Sequence, residues 1–286
     1  SSAIPVSILS KRTKDHISVA LSGDGGDELL GGYNKHRAEY LSRNKSLTLS
    51  LISAFSPIWK ALPKSRNWHI TNLFRQLEKL STGLNLNEKE RYWLWCTFSN
   101  NSQARSWMVS DLNEERINEM RSGFLPYFNH SHDFNQVLAN DMHLVLANDM
   151  LVKVDRMSMG QSLEIRVPFL DHQIVDFVFK LPYEYKINKK HQKCLLKEAF
   201  KDDLPLNIIN RKKHGFEIPL LKWFRNDLYE RINSEWLNSE YITEQGLFEP
   251  SSIDKLKKQL FKKDSGDVQL DIWKMIVFQH WYKKYS

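Results

Sequence analysis

The stretch that most narrows what this chain can fold into is HISVALSGDGGDELLGGY, residues 16–33. HISVAL is short and apolar, with β-branched Ile17 and Val19, which is the pattern of a short buried strand. The glycines that follow end the strand. From Asp27 onward ELLGGYNKHRAEYLSRN places Leu29, Tyr33, Arg37 and Tyr40 at helical spacing, although Gly31 and Gly32 weaken the first turns. The expected first unit is a strand, a glycine loop and an irregular helix.

Beyond this unit the periodicity is helical almost throughout. WHITNLFRQLEKL, NEKERYWLWCTFS, DHQIVDFVFKLP, PLLKWFRNDLYERINSEWL and DVQLDIWKMIVFQHWYKK each repeat apolar residues three and four apart between Pro, Gly or polar breaks. DFNQVLANDMHLVLANDMLVKVDRMSMGQSLE reads as one long or two short helices ending before Pro168, and no second clear strand appears. LANDM occurs at 138–142 and again at 146–150. An eight-residue step falls about 80° off one helical face and is far below any solenoid period, so the repeat reads as chance. No linker-like stretch divides the chain, and residues 1–286 read as a single domain.

Several function classes are excluded or weakened by composition. The two cysteines, Cys96 and Cys194, are far apart and form no CxxC or Cys/His cluster, which removes a disulfide framework and a zinc site. No apolar run reaches the ~18 residues that span a bilayer, and SSAIPVSILSKRTK lacks the zones of a secretory signal. The expectation is a soluble cytoplasmic protein with no membrane partner. Forty-one Lys and Arg against 34 Asp and Glu give a net charge of +7. That excess suits an anionic partner, but the basic residues are spread along the chain, as on solvated faces.

The acidic glycine loop poses a chemical question. A glycine-rich loop between strand and helix exposes backbone N–H groups that attract phosphate, and Ser22, Gly23, Gly25 and Gly26 can serve this way. Asp24 and Asp27 would repel a bare phosphate by a few kcal/mol per close pair, so a cation has to lie between. Mg²⁺ fits, because it takes one or two protein carboxylates and completes its shell with phosphate oxygens and water. A calcium EF-hand fails: counted from Asp24, position 12 is Lys35, where a glutamate is needed. An acidic helix N-terminus stabilised by the macrodipole needs no ligand and remains open.

Two later stretches add to this. In VDRMSMGQSLEIRVPFLDH, the charged Asp155, Arg156, Glu164, Arg166 and Asp171 punctuate an apolar passage, as a cleft-lining network or a structural ion-pair network would. In INRKKHGFEIP, Arg211, Lys212 and Lys213 precede a His-Gly-Phe turn. LSGDGGDELLGGY, DMLVKVDRMSMGQSLEIRVPFLDH and RKKHGFEIP, in this order, closely resemble the synthetase domain of the glutamine-hydrolysing asparagine synthetases. SSAIPVSILSK and LDIWKMIVFQHWYKKY resemble that family too.

The resemblance implies an α/β fold of the pyrophosphatase-loop (adenine nucleotide α-hydrolase) type for the full family domain, of which this segment would be predominantly helical with one or two short strands near the N-terminus. It implies ATP and Mg²⁺ as cofactors, aspartate and ammonia as substrates, and adenylation of the aspartate side chain followed by displacement of AMP. Ser22 and Gly23 match positions at the adenosine, with Gly25 and Gly26 on the phosphate-facing backbone, and Asp27 matches the Mg²⁺–pyrophosphate ligand. Asp24 matches the carboxylate implicated in taking the proton from ammonia, and Lys213 the lysine on the phosphates. Asp155, Arg156, Glu164, Arg166 and Arg211 would support the pocket from behind.

Two family parts have no match here: the Ser-Gly-Gly-x-Asp-Ser loop and the glutaminase domain with its N-terminal cysteine. The expectation is a synthetase-type domain incomplete at its N-terminus, inactive alone, whose ammonia comes from glutamine through an upstream glutaminase domain, and with room for a homodimer. Two alternatives are a related amidotransferase acting on another carboxylate, such as a polysaccharide sugar, and a non-catalytic nucleotide- or nucleic-acid-binding module. The retained Asp24, Asp27 and Lys213 argue against the second alternative, and nucleic acid is not expected as a partner.

Overall fold

The computed structural model describes residues 2–44, 46–97, 99, 101–128, 133–211, 213, 215–216 and 218–286. Lys212 and His214 of the basic loop therefore lie outside the described residues. The chain resolves into two compact units, one of Ser1–Leu49, Asn87–Tyr92 and Asn118–Ile218, the other of Ser50–Leu86, Trp93–Ile117 and Pro219–Ser286.

The first unit opens with helix α1, Ala3–Lys14, which has Pro5 in its first turn and Lys11, Arg12 and Lys14 in its last, where cations favour the helix dipole. It packs on the helix Leu151–Met159. Strand β1, Val19–Leu21, pairs in parallel with β2, Glu164–Arg166, in the register Val19↔Glu164, Ala20↔Ile165 and Leu21↔Arg166. Bonds from Ser22 N–H to Arg166 O (2.8 Å) and from Glu164 N–H to Ser18 O (3.0 Å) extend the ladder at both ends.

Two local expectations are corrected. Helical periodicity carries through Glu164, yet the helix stops at Met159; Ser162 turns the chain at φ 57° and EIR enters the sheet. Three residues are too few for a period-of-two signal to stand out. HISVAL also reads as buried, but Val19 is 40% and Leu21 73% exposed. Among the described residues the sheet has only two strands, so little covers it.

The glycine run breaks the next helix in two. Helix α2, Gly26–Leu30, is capped by Gly31 in the left-handed conformation (φ 66°), and α3, Asn34–Arg43, starts afresh after Tyr33. Leu29 and Leu30 are buried against Val178, with Met142, Phe169, Leu170, Phe179 and Leu196 around them. Each buried leucine contributes roughly 2 kcal/mol, so this contact anchors the acidic loop to the core.

The two copies of LANDM follow one another along a single helical run. The first closes the α-helix Asn135–Asp141, where Leu138, Asn140 and Asp141 are inaccessible to solvent. The second ends the wider-wound π-helical stretch Met142–Met150, where Asn148 and Asp149 are exposed. Identical words thus occupy unlike environments.

The second unit is helical around Phe224, Ile232, Leu237, Ile253, Leu260, Ile272 and Met275. Its longest helix, Val268–Tyr285, packs against the helices Pro250–Gln259 and Leu220–Arg225. Pro250 sits in the first helical turn, where a missing N–H costs nothing, and the Asn238 side chain caps Ser239–Gln245 by accepting from the N–H groups of Glu240 and Tyr241. Among the described residues no helix is long and apolar enough to cross a membrane.

Candidate functional site

The acidic turn is shaped by what packs beneath it. Gly25 adopts φ 84°, and a side chain there would overlap Leu170; one at Gly26 would press on Phe169. These two glycines let the segment Pro168–Leu170 close under the turn. Gly23 differs: a Cβ on it would meet nothing within 4 Å, so its backbone is open to a ligand. The Ser22 hydroxyl donates to the Asp24 carboxylate and accepts from the Asp24 N–H (3.3 Å), which holds Asp24 half-buried beside that open glycine.

Asp27, on the first turn of α2, is buried and faces two ammonium groups. Lys193 Nζ lies 2.8 Å from Oδ1, and Lys213 Nζ donates to Oδ2 at 2.7 Å. Burial works against the charge on Asp27, but the two lysines outweigh it and hold the carboxyl below its ordinary range. Gly32 is part of this arrangement, because a methyl group there would overlap Asp27 Oδ1 and Lys193 Cε. Beside it the Tyr33 hydroxyl donates to Glu28 at 2.6 Å, and burial pushes both the Glu28 carboxyl and the Tyr33 phenol up. Lys213 Nζ also sits 5.6 Å from the centre of the Tyr33 ring.

Lys193 and Lys213 border a cavity of about 830 Å³. Arg37, Lys190, Lys197 and Arg211 add four more cationic side chains to its lining, while Leu196, Phe200 and Ile208 supply an apolar wall. Such a surface is complementary in charge and polarity to an extended anion with an apolar or aromatic portion. Another cavity of the same unit, about 800 Å³, is lined by Tyr40, Arg43, Arg91, Phe134 and Tyr183. Its arginines are already neutralised: Arg91 makes a two-pronged contact with Glu39 (2.7 Å each) and Arg43 pairs with Glu39 and Glu88.

The structure thus brings Asp27 and Lys213 together across 186 positions of sequence, with Arg211 in the cavity wall. The other charged candidates stand apart from that wall. Glu164 and Arg166 pair with each other on β2 (2.7 Å) and are both more than half exposed. Asp155 and Arg156 are exposed on the helix Leu151–Met159.

Two groups of residues escape sequence reasoning. Lys193 belongs to the run KINKKHQK, which reads as a solvated basic patch, and nothing in its letters marks one lysine for an ion pair with Asp27. Asp141 sits in the first LANDM copy and is completely buried, bonded by Lys35, by His36 Nε2 (2.8 Å) and by the Tyr92 hydroxyl (2.6 Å). His36 Nδ1 accepts from the Tyr33 N–H (3.3 Å), so Nε2 carries the hydrogen given to Asp141. Burial opposes the Asp141 charge, but His36 and Lys35 more than offset it and bring the carboxyl down to about 2.

Among the described residues no group of three or more His, Cys, Asp and Glu is placed to hold a metal unaided. A cation that shares its shell with phosphates needs fewer protein ligands, and Asp27 suits it. Its buried Oδ1 faces Lys193 Nζ and its Oδ2 is bonded by Lys213, so a cation at this carboxylate would take the place of one ammonium.

Residues 1–283 match the Asparagine synthase family. The chain is 30% identical over 286 residues to asparagine synthetase [glutamine-hydrolyzing] 1 of Bacillus subtilis, covering 98% of this chain and 42% of that protein. It is 27% identical over 296 residues to a putative asparagine synthetase [glutamine-hydrolyzing] of Mycobacterium bovis, covering 98% and 41%. With the human asparagine synthetase [glutamine-hydrolyzing] it shares 32% identity over 100 residues, 33% of this chain and 16% of the other. The chain spans about two fifths of the length of the first two relatives.

Proposed function

Because this chain belongs to the asparagine synthase family, we propose that it carries the amide-forming half of an ATP-dependent synthesis of asparagine. Aspartate's side-chain carboxylate attacks the α-phosphate of ATP, pyrophosphate leaves, and ammonia displaces AMP from the acyl-adenylate. The observation that carries this reading is the Asp27–Lys213 pair at the edge of a cavity lined by further cations.

The roles follow from position and charge. Ser22 and the open backbone of Gly23 receive the nucleotide, and Gly25 and Gly26 keep the turn tight against Phe169 and Leu170. Asp27 holds Mg²⁺, which when bound neutralises phosphate charge. Lys213 stabilises charge on the phosphates as carboxylate and phosphate, both anions, approach. Arg211, with Lys190 and Lys197, draws the anionic substrates in. Asp24, kept in place by the Ser22 hydroxyl, stabilises the positively charged nitrogen formed when ammonia adds and accepts its proton. The relatives are named glutamine-hydrolyzing, which supports glutamine, hydrolysed in a separate domain, as the source of ammonia.

Aspartate-dependent exchange of labelled pyrophosphate into ATP tests the adenylation step apart from ammonia delivery. The full-length protein is expected to show exchange with aspartate and this chain alone to show little. Absence of exchange from the full-length protein with aspartate refutes this choice of acceptor, and absence with a panel of carboxylic acids refutes the adenylation chemistry.

A further inference from the structure

The two lysines on Asp27 are held in different ways. Lys193 is strapped down: its backbone is left-handed (φ 55°, ψ 41°), its N–H donates to Leu30 O (3.2 Å), and the next residue's N–H donates to Lys186 O (3.0 Å). The preceding Gln192 side chain ties the same turn to the glycine run, donating to Gly31 O (2.9 Å) and Tyr33 O (2.8 Å). A left-handed non-glycine residue persists only where its surroundings over-determine it. The Lys193 side chain then runs across Gly32, where any Cβ would displace it. Lys213, by contrast, projects from a segment outside helix and strand, its side chain is 40% exposed, and the cavity opens beside it.

We infer that Lys193 is a fixed positioning residue for Asp27 and that Lys213 is an exchangeable counter-ion, parked on Oδ2 until a divalent cation takes its place and frees it for the phosphates. The inference rests on the proposed metal role of Asp27. Both Asp27 oxygens have an ammonium beside them, so a metal cannot reach full strength there without displacing one. Lys193 starts from a fixed backbone, its side chain lies close over Gly32, and it is 26% exposed against 40% for Lys213. Lys213 has only to swing into the cavity, where an anion bound with the metal offers it a new partner. The divalent cation brings one positive charge more than the departing ammonium, and the anion bound with the metal offsets it.

The exchange makes a prediction whose sign reverses with the ligand. Mn²⁺ binding to the full-length protein is followed by electron paramagnetic resonance, first alone and then with inorganic pyrophosphate. Lys213→Gln is expected to tighten Mn²⁺ alone roughly tenfold, since a competitor is gone, and to weaken Mn²⁺–pyrophosphate by a similar factor. Lys193→Gln is expected not to tighten Mn²⁺ alone, because its loss also loosens Asp27, and Lys193→Arg is expected to restore normal binding. Asp27-dependent Mn²⁺ binding that Lys213→Gln leaves unchanged or weakens overturns the exchange while sparing the metal reading. Equal tightening by Lys213→Gln and Lys193→Gln overturns the division of labour. Mn²⁺ binding indifferent to Asp27→Asn overturns both the exchange and the metal role. Lys213 is partly exposed, so its substitution is expected to leave the fold intact, which a thermal unfolding curve verifies.

Discussion

Asp27 and Asp141 are buried carboxylates of the same unit, each facing two basic side chains, yet their surroundings differ in kind. Asp141 is sealed, with Lys35, His36 and the Tyr92 hydroxyl dividing its two oxygens and no solvent access at all. Asp27 has an ammonium on each oxygen too, but it keeps a side-chain exposure of 11% and its partner Lys213 stands 40% exposed at the edge of a large cavity. A sealed ion network fixes neighbouring helices and has no room to change partners. One that borders a cavity has that room. Burial and low pKa are common to both carboxylates, so neither property separates them; access does.

The largest effect is expected when the sealed site is broken. Asp141→Asn leaves Lys35 facing a neutral amide in the interior and should cost about 3–5 kcal/mol of stability, read as a fall in the urea midpoint. A loss under 1 kcal/mol would show that the network is not a structural clasp. Asp27→Asn is expected to do the reverse. Its stability should stay close to wild type, because the partly exposed Lys213 is free to swing away from Lys193 toward the cavity, while aspartate-dependent pyrophosphate exchange falls by on the order of 100-fold. If stability and exchange fell together in both variants, the contrast between the two aspartates would be lost.

A smaller effect sharpens the comparison through acid titration. The Asp141 carboxyl lies at about 2 in the folded protein against an ordinary value of 3.8. A carboxyl depressed by folding stabilises the native state fully above its unfolded pKa, and that stabilisation drains as pH falls from about 4 to about 2. The wild-type protein should therefore lose stability across that window more steeply than Asp141→Asn, as measured by urea unfolding at each pH. Parallel profiles would show that the carboxylate gains nothing from its partners.

Local structure was legible where the special residues lie close together. Ser22 to Asp27 is short, and its glycines announce a tight turn without reference to any distant partner. Other features depended on context too short or too distant to leave a mark. β2 is three residues long and continues a helical pattern, so only its pairing with β1 reveals it. Val19 and Leu21 look like core residues and are exposed, because burial depends on how many strands flank them. Lys193 and Asp141 were hidden for another reason: a charged residue acquires its meaning from its partners, and theirs lie 166 and 105 or 106 positions away.

The amino-acid sequence by itself determined the helical character of the chain, the irregularity at Gly31 and Gly32, and the acidic turn, since each arises from backbone preferences and spacing within a few residues. Only the tertiary structure decided which of many lysines meet Asp27, which of two LANDM aspartates is sealed, and which glycine of the turn faces open space. Coulomb energy and desolvation depend on distance and burial in three dimensions, and those are quantities that no local stretch of sequence contains.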